Sequence, residues 1–402
     1  MDRLPFSMIH SKTSVLWSVP AGADRLRERR GEAMRRFLTI RDVEAAVAGG
    51  SVFAAGGGGW ADHGRMLGHA AVNAGRPELV SMDEIPDDAI LATAAAIGAP
   101  GGSTDWEMLG VDYVKAAQLL QEALGKPLYG LIIGQNGMSS TLNAWLPSAI
   151  LGVKVVDAVG DVRAHPTGDM GSIGLANSPD PTIQVAVGGN RAANRYIELV
   201  ARGATAKVSP VLRAAADMAG GFIASCRNPI TAGYVRRNAA LGGVSLALDL
   251  GERIIAARPR GGRAVIEAIC ERTGGAIIRS GRVAKKDVRY TKEAFDIGVI
   301  EVGAGDEACI LHVMNEYMAV TTRDGARLAS FPDVITTLAD DGQPVSAGHV
   351  REGMELFVLR IAKDKIPLSS SVTDPSVYPV VESALGMNFT DYALGRDVIP
   401  SP

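Results

Sequence analysis

At 402 residues, 47% of them hydrophobic and 21% charged, the chain exceeds what one hydrophobic core usually supports and has the apolar content to bury two. A formal net charge of −3 removes any electrostatic case for nucleic acid or an anionic membrane as partner, which leaves small molecules. Three widely spaced cysteines, Cys226, Cys270 and Cys309, with no CxxC pair, argue against a disulfide framework and a zinc knuckle and fit a reducing cytoplasm. No apolar run approaches the roughly 20 residues of a membrane helix.

Residues 1–33 carry Ser, Pro and the basic cluster Arg25, Arg27, Arg29 and Arg30, without periodicity. Asp24, Glu28 and Glu32 weaken a transit-peptide reading, so the segment reads as a disordered extension. From 34 to about 205, short apolar runs alternate with amphipathic helical stretches, the signature of an α/β domain with a largely parallel sheet. Thr39 opens a helix with a capping-box acid downstream. Strands are expected at 52–55, 90–96, 128–133 and 153–157, and helices at 64–74, 113–124 and 141–151. Each strand runs into a Gly-rich or polar loop: GGGGWADHG, IGAPGGSTD, GQNGMSST and AVGDVRAHPTGD. In open α/β sheets ligands sit at the carboxyl ends of strands, so these four loops are expected to meet in one crevice.

A helix-like stretch at 191–203 leads into a second domain, 206–395, with helices over 211–219 and 235–255 and a break at 227–230. Beyond residue 260 the apolar period becomes two. Asp324-Gly325 and Asp341-Gly342 supply tight turns, so the C-terminal part should be a small antiparallel sheet or barrel.

Three loops carry candidate chemistry. Gly56, Gly57, Gly58 and Gly59 join an expected strand to an expected helix, where bare backbone N–H groups favour an anionic group on a small ligand. The run lacks the GxGxxG spacing and the GK[ST] of nucleotide-binding loops, so no nucleotide cofactor is expected. The alternative is that these glycines only permit close packing. The loop VVDAVGDVRAHPTGD gathers Asp157, Asp161, Arg163 and His165 after a strand. Such a set can divide hydrolysis, with a carboxylate activating water, Arg163 holding charge and His165 moving a proton. It could equally hold one divalent metal ion or close a surface loop by an Asp–Arg ion pair. Gln135 and Asn136 carry amides suited to the N–C=O edge of a heterocycle, though Asn-Gly is also a turn dipeptide. Cys226 reads as an inert buried thiol, and His312, Asn315 and Glu316 as solvated or interface residues of a strand region.

The GGGG loop, GAPGG at 98–102, GQNGMSS, VVDAVGDVRAHP, SCRNPITAGYVRR, LGGVSLALDLG and NEYMAV…FPDVITTL together resemble the S-methyl-thiohydantoin desulfurase family, in order, over residues 38 to about 395. The resemblance implies an N-terminal three-layer α/β domain and a C-terminal α+β domain containing a small β-barrel. It also implies attack of water on the ring carbon bearing sulfur, releasing methanethiol and leaving a hydantoin. Members are often encoded beside hydantoinase and oxoprolinase subunits. That leaves two further readings open: a non-catalytic partner of such subunits, and a metal-dependent cyclic amide hydrolase. A homo-oligomer is also compatible.

Overall fold

Thr39 begins the first helix as its spacing predicts. The Asp42 carboxylate accepts from the Thr39 N–H (2.8 Å) and hydroxyl (2.6 Å), closing the capping box. The structure is a computed structural model that describes residues 35–99, 106–291, 293 and 295–400; the extension expected at 1–33 lies outside them.

The first sheet contains β1 (Arg35–Phe37), β2 (Glu78–Val80), β3 (Ile90–Gly98), β4 (Gly130–Gln135), β5 (Lys154–Asp161), β6 (Thr182–Gly188), β7 (Ile197–Gly203), β8 (Phe222–Thr231) and the short β9 (Ala240–Leu241). Their order is β1-β2-β5-β4-β3-β8-β6-β7, with β9 on β5. The centre, β2-β5-β4-β3, is parallel, and both flanks are antiparallel. Strand alternation sends Leu131 and Ile133 into one core and Ile132 into another. Both faces of the parallel centre are therefore covered. On one side lie α1 (Ile40–Phe53), α2 (Ala61–Ala74), α3 (Gly110–Leu124), α4 (Trp145–Leu151) and α7 (Gly243–Ala257). On the other, α6 (Ala232–Asn238) packs Ala232 and Val235 against Leu91 and Val156. Helix α5 (Thr205–Met218) covers β6 and β8 through Val208, Leu212 and Ile223, and α8 (Gly262–Thr273) follows α7.

The second sheet is antiparallel throughout and contains β10 (Ala276–Tyr290), β11 (Asp296–Val302), β12 (Cys309–Met314), β13 (Glu316–Thr322), β14 (Arg327–Ser330), β15 (Val334–Leu338), β16 (Pro344–Val345) and β17 (Glu355–Ile361). Its order is β14-β13-β12-β11-β10-β17-β15-β16. It wraps a core of its own, including Val283, Ile300, Leu311, Val320, Ile335 and Val358. Of the expected barrel, the pairing gives this wrapped sheet; among the described residues no ladder joins β14 to β16. The two Asp-Gly turns form as expected: Gly325 N–H donates to Thr322 O (3.1 Å) and Gly342 N–H to Ala339 O (2.8 Å). Helices α9 (Pro379–Leu385) and α10 (Thr390–Ala393) end the chain.

Several expected elements are corrected. Residues 52–53 close α1 instead of forming a strand, so the glycine run joins two helices. The helix expected over 191–203 is a turn followed by β7, whose Ile197, Leu199 and Ala201 pack toward α5 on a period of two. The break expected at 227–230 lies within β8, and the single helix over 235–255 is α6, β9 and α7. The helix over 141–151 is a 3-10 turn followed by α4. Strand β8 reaches the first sheet from beyond residue 205, and residues 33–402 cluster as one body.

Candidate active site

The carboxyl ends of β3, β4 and the loop after β5 open onto a cavity of about 410 Å³, a size suited to a small heterocycle. Ala95 to Gly98, Gly134 and Gln135, and His165 to Gly168 form one side. The glycine turn joins them from the α1–α2 connection. The expected convergence of the four loops therefore holds for their described residues, the second loop contributing Ile97 and Gly98 while 100–105 lie outside them, although the glycine turn arrives from a helix. Lys286, Val288 and Tyr290 of β10, Asp296 of β11, Asn315 and Glu316 at the β12–β13 bend, and residues 346–349 close the opposite side.

The four glycines are both packed and functional-looking. Gly56, Gly58 and Gly59 have φ of 88°, 74° and 83°, the left-handed region that favours glycine. A Cβ at Gly56 would sit 2.6 Å from the Tyr317 ring, at Gly58 2.7 Å from Gly137 Cα, and at Gly59 would overlap the Ser139 hydroxyl. The turn is bonded to the second sheet: Ala55 O accepts from Tyr317 N–H (2.7 Å) and Gly56 O from Ala347 N–H (2.9 Å). Gly57 N–H donates to Ala54 O (2.7 Å), whereas the N–H groups of Gly58 and Gly59 donate to no group among the described residues. They lie just ahead of α2, on its positive end.

Of the acid, arginine and histidine set after β5, only His165 lines the cavity. Its backbone N–H donates to Gln135 Oε1 (3.0 Å), and its Nδ1 is buried without a hydrogen bond among the described residues, 4.0 Å from Asp161 Oδ2. Burial, with Arg227 and Arg163 nearby, pulls the imidazole down to about 3, so it is neutral. Asp161 stands behind His165, opposite Gln135 in the β4–β5 register. Burial holds its carboxyl well above the usual range, against the pull of Arg163 and Ser369.

Asp157, Arg163 and Asn136 do not line the cavity, and their side chains bond to the structure around them. Asp157 anchors the start of α7, accepting from the N–H groups of Val244 and Ser245 (both 3.0 Å) and from the Ser245 hydroxyl (2.5 Å). Arg163 donates from Nε to Ala164 O (2.7 Å), from Nη1 to Asp333 O (3.1 Å) and from Nη2 to Tyr317 O (3.3 Å). Its guanidinium thus braces the second sheet, and burial lowers it only to about 10, so it stays charged. Asn136 is fully buried, its Nδ2 donating to Gly243 O (3.0 Å) and its Oδ1 accepting from Thr141 Oγ1 (3.2 Å). Gln135, by contrast, lines the cavity with its carbonyl committed to His165.

Residues outside the three candidate loop sets complete the walls. Trp60 stacks on Trp106 (ring centroids 4.5 Å, planes 9° apart) and meets Phe222 edge-on at 4.5 Å, and Trp60 and Phe222 face the cavity. Arg227, on β8, lines the cavity 5% exposed; its side chain makes no hydrogen bond or ion pair among the described residues, and its Nε is fully buried. Burial lowers its pKa, partly offset by Asp169. Arg213 donates to Pro166 O (2.7 Å), and Lys286 Nζ donates to the carbonyls of Gly348 and Val350 (both 3.0 Å).

Glu316 is the largest departure from expectation, because it sits inside. Asn315, at φ 57°, makes the bend: its Oδ1 accepts from Asp296 N–H (2.9 Å) and its N–H donates to Asp296 O (2.8 Å). With Tyr317 fixed to Ala55, Glu316 is held against Gly57, its Oε2 buried without a hydrogen-bond partner among the described residues. Burial raises its carboxyl to about 8, against the pull of Arg163 and Arg213 and with a push from Asp296. No sequence signal marked it beyond the NEY bend. Cys226 is buried in β8, where burial pushes its thiol up to about 12, in keeping with an inert role.

Among the described residues, no group of three His, Cys, Asp or Glu side chains is placed to hold a metal ion, and no helix is long and apolar enough to cross a membrane. A crystal structure of a protein from Chromobacterium violaceum is similar, with a TM-score of 0.64 and 20% identity over 91% of this chain and 98% of that one; at such identity the likeness is one of fold. No curated protein matches the chain. The family models for the S-Me-THD-like N-terminal domain and C-terminal domain match residues 41–194 and 204–370 respectively. Through these two matches, which meet across the cavity just described, the chain belongs to the S-Me-THD-like family.

Proposed function

We propose that the chain is a hydrolase of a small hydantoin-like ring, and that its reaction is the release of a thiol from an S-methyl-thiohydantoin. The observation that carries this reading is the meeting, in one cavity, of a flat aromatic face, an amide edge and unpaired donors for an anion. Trp60 and Phe222 suit the faces of a planar ring. The Gln135 amide nitrogen has no partner among the described residues and suits a ring carbonyl. Arg227 carries a buried positive charge without an acid bonded to it, which is costly unless a ligand answers it. An anionic substituent therefore belongs against Arg227, or on the N–H groups of Gly58 and Gly59.

In the reaction, water adds to the ring carbon bearing sulfur. The tetrahedral intermediate then expels the thiol and restores a carbonyl. Neutral His165 is placed to accept a hydrogen bond or donate one, with Asp161 4.0 Å behind its Nδ1. The free thiols of Cys226, Cys270 and Cys309 support placement in the cytoplasm.

The test is a panel of S-methyl-thiohydantoins, thiohydantoins and hydantoins, with thiol release and ring opening followed separately. Thiol release from S-methyl rings supports the proposal. Ring opening without thiol release would select C–N cleavage, and a chelator arm would show whether that activity needs a metal. No turnover, together with co-purification with hydantoinase or oxoprolinase subunits, would replace the proposal with a partner-subunit role.

A further inference from the structure

We infer that Glu316 is the proton-transfer group of the cavity, the acid that protonates both the ring nitrogen and the departing sulfur. The inference rests on the ring-hydrolysis reading and adds a catalytic residue to it.

Geometry singles out this side chain. An alkyl thiolate leaves poorly without a proton, so the site needs an acid that faces the ring and is protonated near neutral pH. His165 faces the cavity but is too weakly basic to hold a proton there. Asp161 stands behind it, Asp157 is bonded to the start of α7, and the Arg163 guanidinium is engaged with backbone carbonyls. Glu316 projects from a bend fixed on both sides, by Asn315 on Asp296 and by Tyr317 on Ala55, and lies against the glycine turn that the proposal uses for an anion. The charged groups that face it are Arg163 from the loop after β5, Arg213 from α5 and Asp296 from β11. Burial outweighs the two guanidinium groups, and the carboxyl stays protonated up to about 8.

The proton balance closes on one carboxyl. As the water oxygen bonds to the ring carbon, the C=N pair moves to nitrogen, which takes the Glu316 proton. The added water then returns one proton to the carboxylate. In the second step the C–S bond breaks with its electron pair on sulfur, which takes the Glu316 proton. The hydroxyl pair forms the carbonyl, and its proton again restores Glu316. The two protons of water end on nitrogen and on methanethiol.

The test uses the full chain and an S-methyl-thiohydantoin that it turns over. Glu316→Gln keeps the side-chain shape and removes the acid. It is expected to lower kcat/KM by about 100-fold or more, while affinity for the corresponding hydantoin, measured by calorimetry, stays within about threefold. Wild-type kcat/KM is expected to fall about tenfold per pH unit above about 8, and the variant profile to be flat there. Retention of more than a tenth of wild-type kcat/KM would overturn the inference. So would a hydantoin affinity that falls as far as turnover, since that marks a purely structural role. Should the variant fail to fold, the wild-type profile decides, and a level profile from pH 6 to 10 overturns it. Absence of turnover in the wild type would instead sink the hydrolase reading itself.

Discussion

The contact between Gly57 and Glu316 allows the site to be perturbed from its opposite wall. Unlike its neighbours, Gly57 does not have the left-handed backbone, so Gly57→Ala introduces steric pressure without backbone strain. The added Cβ would lie 2.8 Å from Glu316 Cδ and 3.0 Å from Cγ, and closer still to Oε1. Restoring the 3.4 Å of ordinary contact at Cδ moves the carboxyl group by at least 0.6 Å, and its oxygen further. A displacement approaching 1 Å costs catalysis about 100-fold, whereas overpacking one methyl against a movable side chain costs about 1 kcal/mol of stability. The assay is thiol release beside a denaturant titration, for Gly57→Ala, Glu316→Gln and the double variant. If the methyl acts through the carboxyl, the double variant turns over no more slowly than Glu316→Gln alone. Two losses that multiply, or a Gly57→Ala enzyme with full turnover, would refute the reasoning.

Asp157→Ala removes three hydrogen bonds from the start of α7 and is expected to cost about 2 to 3 kcal/mol, with turnover per folded molecule within about threefold; lost turnover at unchanged stability would return Asp157 to the chemistry. Arg227→Met is expected to raise KM about 10- to 100-fold for rings bearing a carboxylate and to leave rings with a 5-methyl group unaffected. Because it deletes an unpaired buried charge, it should not lower the denaturation midpoint, and an equal loss on both ring types would refute the assignment. His165 has its pKa depressed to about 3, so between pH 6.5 and that value the unfolded chain binds a proton that the folded one does not. Stability contributed by the neutral ring is therefore lost on acidification, by about 1.4 kcal/mol per pH unit. Denaturant midpoints at pH 4.5, 5.5 and 6.5 should show a shallower slope in His165→Gln than in wild type, and identical slopes would count against a buried neutral imidazole.

The parallel centre was legible because β3, β4 and β5 are continuous apolar runs ending in polar loops, and α2 and α3 keep helical spacing. Helix α1 runs through Gly49 and Gly50 and past the expected start of a strand at 52. They are there for contact: a Cβ on Gly49 would overlap Ala247 O of α7, and one on Gly251 would overlap Ala45 O of α1. Tertiary packing thus overrides helix propensity, and the following Val52 and Phe53, stranded in the sequence, took on the look of a strand. Strand β8 was interrupted on paper by Asn228 and Pro229. The chain bulges there, with Asn228 at φ 55°, and the ladder to β3 resumes with a shifted register. The loop after β5 was located correctly, but composition cannot show which way a side chain points. Asp157 and Arg163 turn to their own neighbours, and the acid on the opposite wall of the cavity, Glu316, lies far along the chain in a stretch that resembles an ordinary hairpin.

The bonds from Ala55 to Tyr317 and from Gly56 to Ala347 tie the glycine turn to β13 and to the turn after β16, segments made much later in synthesis. Until the C-terminal portion has emerged and docked, the turn has no second wall, so a nascent or truncated chain that has already formed its parallel strands holds no enclosed guest space. Such distant pairings are slow to form. On refolding, ligand capture should therefore return after the helical signal.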